Sequence, residues 1–378
     1  MKRILFVVNT PEFFVSHRLP VALATKNAGY EVHVASSPGP AVTEIQAQGF
    51  RHYTVTFARS GQNPLVELCT FIELYKLLRR LRPTLVHLVT IKPVLYGGLA
   101  ARVAGIKGVV FAVSGLGTVF VAGSMVSKLR RWVVTRLYAS AFRQKQLTVI
   151  FQNPDDRDTL LSTGALNPKQ TRMVRGSGVA LSDYPCLPEP DGKPVVVMAA
   201  RLLRDKGVFE FVRSAHILRA RGIDVDMRLL GSRDPGNPTT VTTAELEQWE
   251  KEGVVEILGF RTDIARQYAL ANIVCLPSYY GEGLPKCLIE AAACGRAVVT
   301  TDHPGCRDAI TPDVTGLLVP VKHEIALADA IQKLIENPEM RRAMGERGRE
   351  LAEGAFSIET VVNQHLQIYD AVVSHGEK

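Results

Sequence analysis

Short apolar runs alternate with longer helical stretches through this 378-residue chain, and the series occurs twice. Residues 3–8 form a run without polar alternation, as a strand buried on both faces of a parallel sheet requires. Residues 17–28 carry helical spacing and stop at Gly29, 31–35 form a second strand, and 66–81 are amphipathic and end before Pro83. Strands at 84–89, 109–113 and 147–151 continue the series. The segment 184–194 carries Pro185, Pro188, Pro190, Gly192 and Pro194, which predicts a linker. Beyond it, strands are expected at 195–199, 227–230, 255–258, 273–276 and 297–300. The pattern is α/β. It predicts two Rossmann-like doubly wound lobes, residues 1–190 and 191–378, facing an interlobe cleft, with ligands at the carboxyl ends of the strands. The last helical stretch, about 358–374, is expected to pack back on the first lobe.

Charge divides the two halves. Residues 1–190 hold 23 Lys/Arg against 10 Asp/Glu, whereas 191–378 hold 22 against 27. Between Glu73 and Asp155 there is no acid, and 13 basic residues occupy the interval. Such a field attracts an anionic partner. Its densest part, 125–145, interleaves Lys128, Arg130, Arg131 and Arg136 with Leu129, Trp132, Val133 and Leu137, the composition of a basic amphipathic helix at a lipid surface. No helix-turn-helix, zinc-finger or ribonucleoprotein pattern accompanies the charge, so nucleic acid is not the expected partner. The opening apolar run breaks at Asn9-Thr10-Pro11, unlike a secretory leader. The longest uncharged stretch, 108–127, is broken by Gly and Ser and lacks the Leu/Ile density of a spanning helix. Six cysteines with no CxxC pair predict free thiols in a reducing cytoplasm.

The chemistry concentrates in two segments of the second half. In Pro277-Ser278-Tyr279-Tyr280-Gly281-Glu282-Gly283-Leu284-Pro285, a strand gives way to a loop and then to a helix. Pro285 suits a first helical turn, and Gly283 lets main chain approach a ligand. The helix start offers an anion site. Glu282 and Glu290 are placed to hold two parts of one polar ligand, and Glu290, among Leu288, Ile289 and Ala291 to Ala293, needs a partner. In Arg201-Leu202-Leu203-Arg204-Asp205-Lys206-Gly207, Arg201 offers a planar fork to phosphate oxygens and Lys206 a point charge. Asp156-Arg157-Asp158 and Asp224-Val225-Asp226 read as chance DxD patterns rather than metal sites.

Arg201, Lys206-Gly207, Glu282 and Glu290, with Gly295 to Asp302, Pro304 to Asp308 and Thr315 to Val319, resemble family 4 retaining glycosyltransferases of the GT-B fold. Asn9 to Pro20 is similar to a bacterial branch that elongates polyprenyl-diphosphate-linked sugars. The resemblance implies that Arg201 and Lys206 bind the donor diphosphate and that Glu282 contacts the donor sugar. It places Gly283, Leu284 and Pro285 beside sugar and phosphates, Glu290 at the ribose, Gly231 near the ribose-phosphate and Phe260 near the base. Ser114 stands where many relatives carry a histidine, and Val89 where a second histidine often follows the one matched by His87. Ser16, His17, Arg18, Lys92 and Ser114 are the acceptor-side candidates. The implied reaction moves an N-acetylhexosamine from a UDP-sugar donor to a lipid-linked saccharide acceptor, without a metal or other cofactor. The enzyme is expected in the cytoplasm, peripheral on an anionic membrane surface through its basic first lobe. A nucleotide-sugar epimerase of similar fold and a non-catalytic membrane-binding protein are the alternatives. A dinucleotide dehydrogenase is disfavoured, because no GxGxxG follows the first strand.

Overall fold

The computed structural model describes residues 2–57, 64–117 and 125–374, except for the side chains of 125–130. Among these residues, β1 (Arg3–Val7), β2 (Glu31–Ser36), β3 (Arg51–Thr54), β4 (Leu85–Val89), β5 (Gly108–Val113), β6 (Gln146–Phe151) and β7 (Thr171–Met173) form one sheet. Its order is β3-β2-β1-β4-β5-β6-β7, and every pairing is parallel. A second parallel sheet contains β8 (Val195–Ala199), β9 (Asp226–Leu230), β10 (Glu256–Gly259), β11 (Ile273–Leu276), β12 (Ala297–Thr301) and β13 (Gly316–Val319). Its order is β10-β9-β8-β11-β12-β13. Strand order reverses between β1 and β4 in one sheet and between β8 and β11 in the other. A crevice opens at the carboxyl ends of such a pair.

Ser177 closes the first compact unit, Gly178–Ser357 make the second, and from Ile358 the chain belongs to the first again. The proline-rich segment expected as a linker therefore lies inside the second unit, and the division falls ahead of residue 190. Its prolines do not leave it loose. Arg296, almost fully buried, donates to the carbonyls of Leu187 and Pro188, and Glu189 pairs with buried Arg341 at 2.8 Å. The helix Ile358–Ser374 packs on the helix Pro11–Asn27 and against β4 to β6.

The central strands are buried on both faces, which explains their largely apolar sequence. Ile4 and Phe6 face a layer with Phe14, Ile368 and Tyr369, while Leu5 and Val7 face Leu74, Leu78 and Val94. Full burial of such a side chain contributes about 1.5–3 kcal/mol. The first helix begins at Pro11, earlier than the expected 17, because the Thr10 side chain caps it and Pro11 occupies its first turn. The break that ends β1 thus starts the helix. The basic helix spans Met125–Ala141 rather than reaching Lys145.

One polar cluster interrupts the apolar layer of the first unit. Arg18 is 1 % exposed, donates through Nη1 to the His17 carbonyl at 2.8 Å, and has no bond at Nε. Burial pushes it down to about 10. His87 Nδ1 and the Tyr369 hydroxyl are 2.5 Å apart. The His365 ring stacks on His87 and bonds the Val361 carbonyl at 2.7 Å. Burial, with the nearby Arg18 cation, pushes His365 down to about 3. Below its ordinary pKa the unfolded chain takes up a proton that the folded state refuses. This contribution to stability is present above about pH 6.5 and is lost as pH falls toward 3. His365→Leu is therefore expected to flatten the fall in melting temperature between pH 7 and pH 4.5. Parallel wild-type and variant curves would contradict the assignment.

Candidate active site

The second-unit candidates gather at the carboxyl edge of its sheet. Arg201 follows β8, Gly231 follows β9, Phe260 follows β10, and Ser278 to Glu282 follow β11. The β8–β11 reversal brings Arg201, Lys206 and Glu282 together. Lys206 closes a single turn, Arg204–Lys206, and Gly207 then takes a left-handed conformation before the helix Val208–Ala220. A β-carbon on Gly207 would lie 2.2 Å from the Pro277 carbonyl oxygen, so only glycine lets this turn press against the β11 loop. Lys206 therefore precedes its helix, separated from it by Gly207.

Lys206 Nζ donates to both Glu282 oxygens, at 2.5 and 2.6 Å, with the two side chains 10 % and 19 % exposed. Both Lys206 and Arg201 lie over the Tyr280 ring, 5.3 and 5.8 Å from its centroid. Arg201 Nη1 pairs with Asp234 at 3.0 Å and stays half exposed. The loop is pinned from below. Buried Ser278 accepts from the Tyr280 amide at 3.2 Å, its carbonyl accepts from Thr301, and the Tyr279 amide donates to the Asp205 carbonyl at 2.9 Å. The cations are thus preorganised: Arg201 stays half exposed, and Lys206 has a third ammonium proton beyond its two bonds to Glu282.

Pro285 precedes the helix Lys286–Ala293 and supplies no side-chain cap, so the helix start keeps its electropositive end. Glu290 is buried, accepts from the Tyr184 hydroxyl at 2.7 Å and pairs with Lys286 at 3.4 Å. Burial pushes its carboxyl above the usual range. Leu284 belongs to the apolar core, so its side chain is turned away from solvent. Phe260 is 74 % exposed, and the Gly231 amide donates to the Gly259 carbonyl at 2.8 Å, joining the ends of β9 and β10. Sequence reasoning missed Asp234, Tyr280, Tyr184 and Lys286. Tyr280 and Lys286 lay within or beside the quoted loop, whereas nothing local tied Asp234 or Tyr184 to it.

Among the described residues of the first unit, three buried oxygens without a hydrogen-bond partner follow adjacent strands: Asn9 Oδ1 after β1, Thr90 Oγ1 after β4 and Ser114 Oγ after β5. Thr90 has φ 74°, an uncommon conformation for a β-branched residue. Lys92 pairs with buried Glu67 at 2.6 Å. Ser16 Oγ lies 2.6 Å from His17 Nδ1, and the His17 ring stacks on Phe13. Arg18, placed beside them by sequence, turns to the buried face of the same helix and meets Tyr369 instead. The DxD patterns are accounted for without a metal: Lys193 holds Asp224 and Asp226, Asp158 pairs with Arg157, and Asp156 bonds Asn153 at a helix start.

A family model for glycosyl transferases group 1 matches residues 185–351, and one described as glycosyl transferase 4-like matches residues 3–153. A Campylobacter jejuni protein, N,N'-diacetylbacillosaminyl-diphospho-undecaprenol alpha-1,3-N-acetylgalactosaminyltransferase, is 29 % identical over 99 % of this chain and 100 % of its own. The putative glycosyltransferase EpsD of Bacillus subtilis is 25 % identical over 100 % of this chain and 98 % of its own. Among solved structures, Anabaena Alr3699/HepE in complex with UDP superposes with a TM-score of 0.78 at 19 % identity, covering 98 % of this chain and 100 % of that one. Sucrose-phosphate synthase from Thermosynechococcus elongatus gives a TM-score of 0.79 at 20 % identity, covering 99 % and 100 %.

Removing one member of a shielded ion pair leaves the other charge stranded and costs about 3–5 kcal/mol when burial is complete. At the partial exposure of this pair the cost is expected to be smaller. Glu282→Leu and Lys206→Met should each lower the melting temperature, and the double variant should recover part of the loss. Additive destabilisation in that cycle would contradict the coupling.

Proposed function

The chain is a glycosyltransferase of family 4 with the GT-B fold, and from that premise we propose that it transfers a sugar, with retention, from a UDP-sugar to a saccharide carried on a polyprenyl diphosphate. One observation carries the reading: two cations, Arg201 and Lys206, share the Tyr280 ring beside Glu282 and a helix start, at the strand reversal where an anionic ligand belongs. As the bond from the anomeric carbon to the diphosphate lengthens, negative charge grows on the departing oxygens. Arg201 exchanges Asp234 for those oxygens, and Lys206 stabilises them while Glu282 holds its ammonium in place. Glu290 takes the ribose hydroxyls, with Tyr184 and Lys286 fixing its carboxylate. These groups supply the charge that a metal would otherwise provide, so no cofactor is required. The name of the Campylobacter relative supports an N-acetylhexosamine donor and a diphospho-undecaprenol-linked acceptor. Asn9, Thr90 and Ser114, with Ser16, His17 and Lys92, provide acceptor-side hydrogen bonding in the first unit.

The acceptor's lipid calls for a membrane surface, and the first unit has a face suited to one. The helix Pro64–Leu81 exposes Leu65, Leu68 and Ile72 at helical spacing, followed by exposed Lys76, Arg79 and Arg80. The helix Met125–Ala141 exposes Trp132 and Val133, with the Arg136 guanidinium 5.5 Å from the Trp132 ring. Both helices pack on the turn Pro93–Gly97, so they share a face of the first sheet. Lys128 and Arg130, part of the basic run, lie outside the described side chains. No helix among the described residues is long and apolar enough to cross a bilayer. Peripheral attachment at the cytoplasmic leaflet fits this surface.

Losing one preorganised charge typically costs about 10²–10³ in rate. Arg201→Ala or Lys206→Ala is expected to lower kcat by that factor in an assay of UDP release from UDP-N-acetylhexosamine plus a polyprenyl-diphosphate saccharide. Rates within twofold of wild type would remove the assignment, and donor conversion without acceptor would indicate an epimerase instead. For the membrane, Leu68→Asp and Arg131→Glu are each expected to weaken sedimentation with phosphatidylglycerol vesicles at low salt. The charge change should be worth about 1 kcal/mol. Unchanged sedimentation would reject this face.

A further inference from the structure

A cavity of about 530 Å³ lies in the first unit at the amino ends of β4, β5 and β6, away from the carboxyl edge where the candidate site residues gather. Arg79 and Arg82 line it from the end of the helix Pro64–Leu81, Lys107 from the turn before β5, and Gln146 from the start of β6. Its apolar part includes Ile106 and Val372. Among the described residues, no acidic side chain lines it. Among the described residues, none of the three cationic side chains has a hydrogen-bond or ion-pair partner. Gln146 Oε1 is buried and accepts no bond.

Arg82 adds an independent sign. It has φ 46° at the end of its helix, the left-handed position that glycine usually fills, and Pro83 follows. The backbone accepts an unfavourable conformation and carries a guanidinium there. Three exposed cations at one opening, with no acid among the lining residues, make a positive field that attracts an anion. The buried acceptor on Gln146 calls for a hydroxyl donor on the same ligand. A phosphate ester of a polyol supplies both, and the volume is ordinary for a small-molecule site.

We propose that this cavity binds the phosphate ester of a polyol, through Arg79, Arg82 and Lys107 at the phosphate and Gln146 at a hydroxyl. That chemistry has two sources, a free phosphorylated polyol or the headgroup of an anionic phospholipid whose tails lie along the apolar part. Calorimetric titration of the full chain, with and without saturating UDP, separates them. The two probes are glycerol 1-phosphate and monomeric dihexanoyl-phosphatidylglycerol. Tighter binding of the lipid probe assigns a headgroup, and equal or tighter binding of glycerol 1-phosphate assigns a free phosphate ester. In either case Arg82→Gly and Lys107→Gln should each weaken binding about tenfold. Arg82→Gly relieves the left-handed strain, so unfolding would not account for the loss, and UDP affinity should not change in either variant. The proposal is overturned if neither probe binds the wild-type chain, or if both variants bind as wild type does.

Discussion

The candidate site depends on a lysine held by a carboxylate at a strand reversal. Lys206 would be costly to bury alone, and Glu282 would be costly to shield from water without a cation. Each makes the other tolerable, and together they set how the β8 turn and the β11 loop meet. The geometry needs Gly207, because any β-carbon there would collide with the Pro277 carbonyl. It also needs the bonds from Thr301 and Tyr280 that hold Ser278. A field arranged in advance does not have to reorganise as charge develops on a leaving group, which is where electrostatic catalysis gains its advantage.

The two units reach comparable architectures with different polar content. In the second, the carboxyl edge carries paired charges: Lys206 with Glu282, Arg201 with Asp234, Lys286 with Glu290. In the first, among the described residues, the corresponding edge carries neutral oxygens without partners at Asn9, Thr90 and Ser114, beside the ion pair of Lys92 with Glu67. Paired charges suit an anionic, strongly hydrated donor. Neutral acceptors suit hydroxyl groups of a saccharide. This contrast is the physical basis for the proposal that the two units take different substrates.

Much of the fold was legible because a strand buried on both faces leaves an unbroken apolar run, as in β5 and β8, or one broken only once, as by His87 in β4. Three strands were not. β3 (Arg51–Thr54) and β7 (Thr171–Met173) are short, polar and at sheet edges, and β13 carries a motif that did not announce a strand. The first helix was placed late because Asn9-Thr10-Pro11 looks like an interruption, although Thr10 is a cap and Pro11 a first-turn residue. At the site, Glu290's need for a partner was visible in its apolar neighbours, yet the identity of Tyr184, 106 positions away, was not. Arg18 shows the opposite limit. Adjacent in sequence to Ser16 and His17, it occupies another face of the helix, and only the packing of Ile358–Ser374 shows that it is buried.

The account stands or falls on where a departing diphosphate would lie. A crystal structure of the chain with UDP tests this most directly. The account predicts β-phosphate oxygens within hydrogen-bonding distance of Lys206 Nζ and the Arg201 guanidinium, with Asp234 released and the ribose hydroxyls on Glu290. Diphosphate bound away from both cations, with the Arg201–Asp234 pair intact, would contradict it.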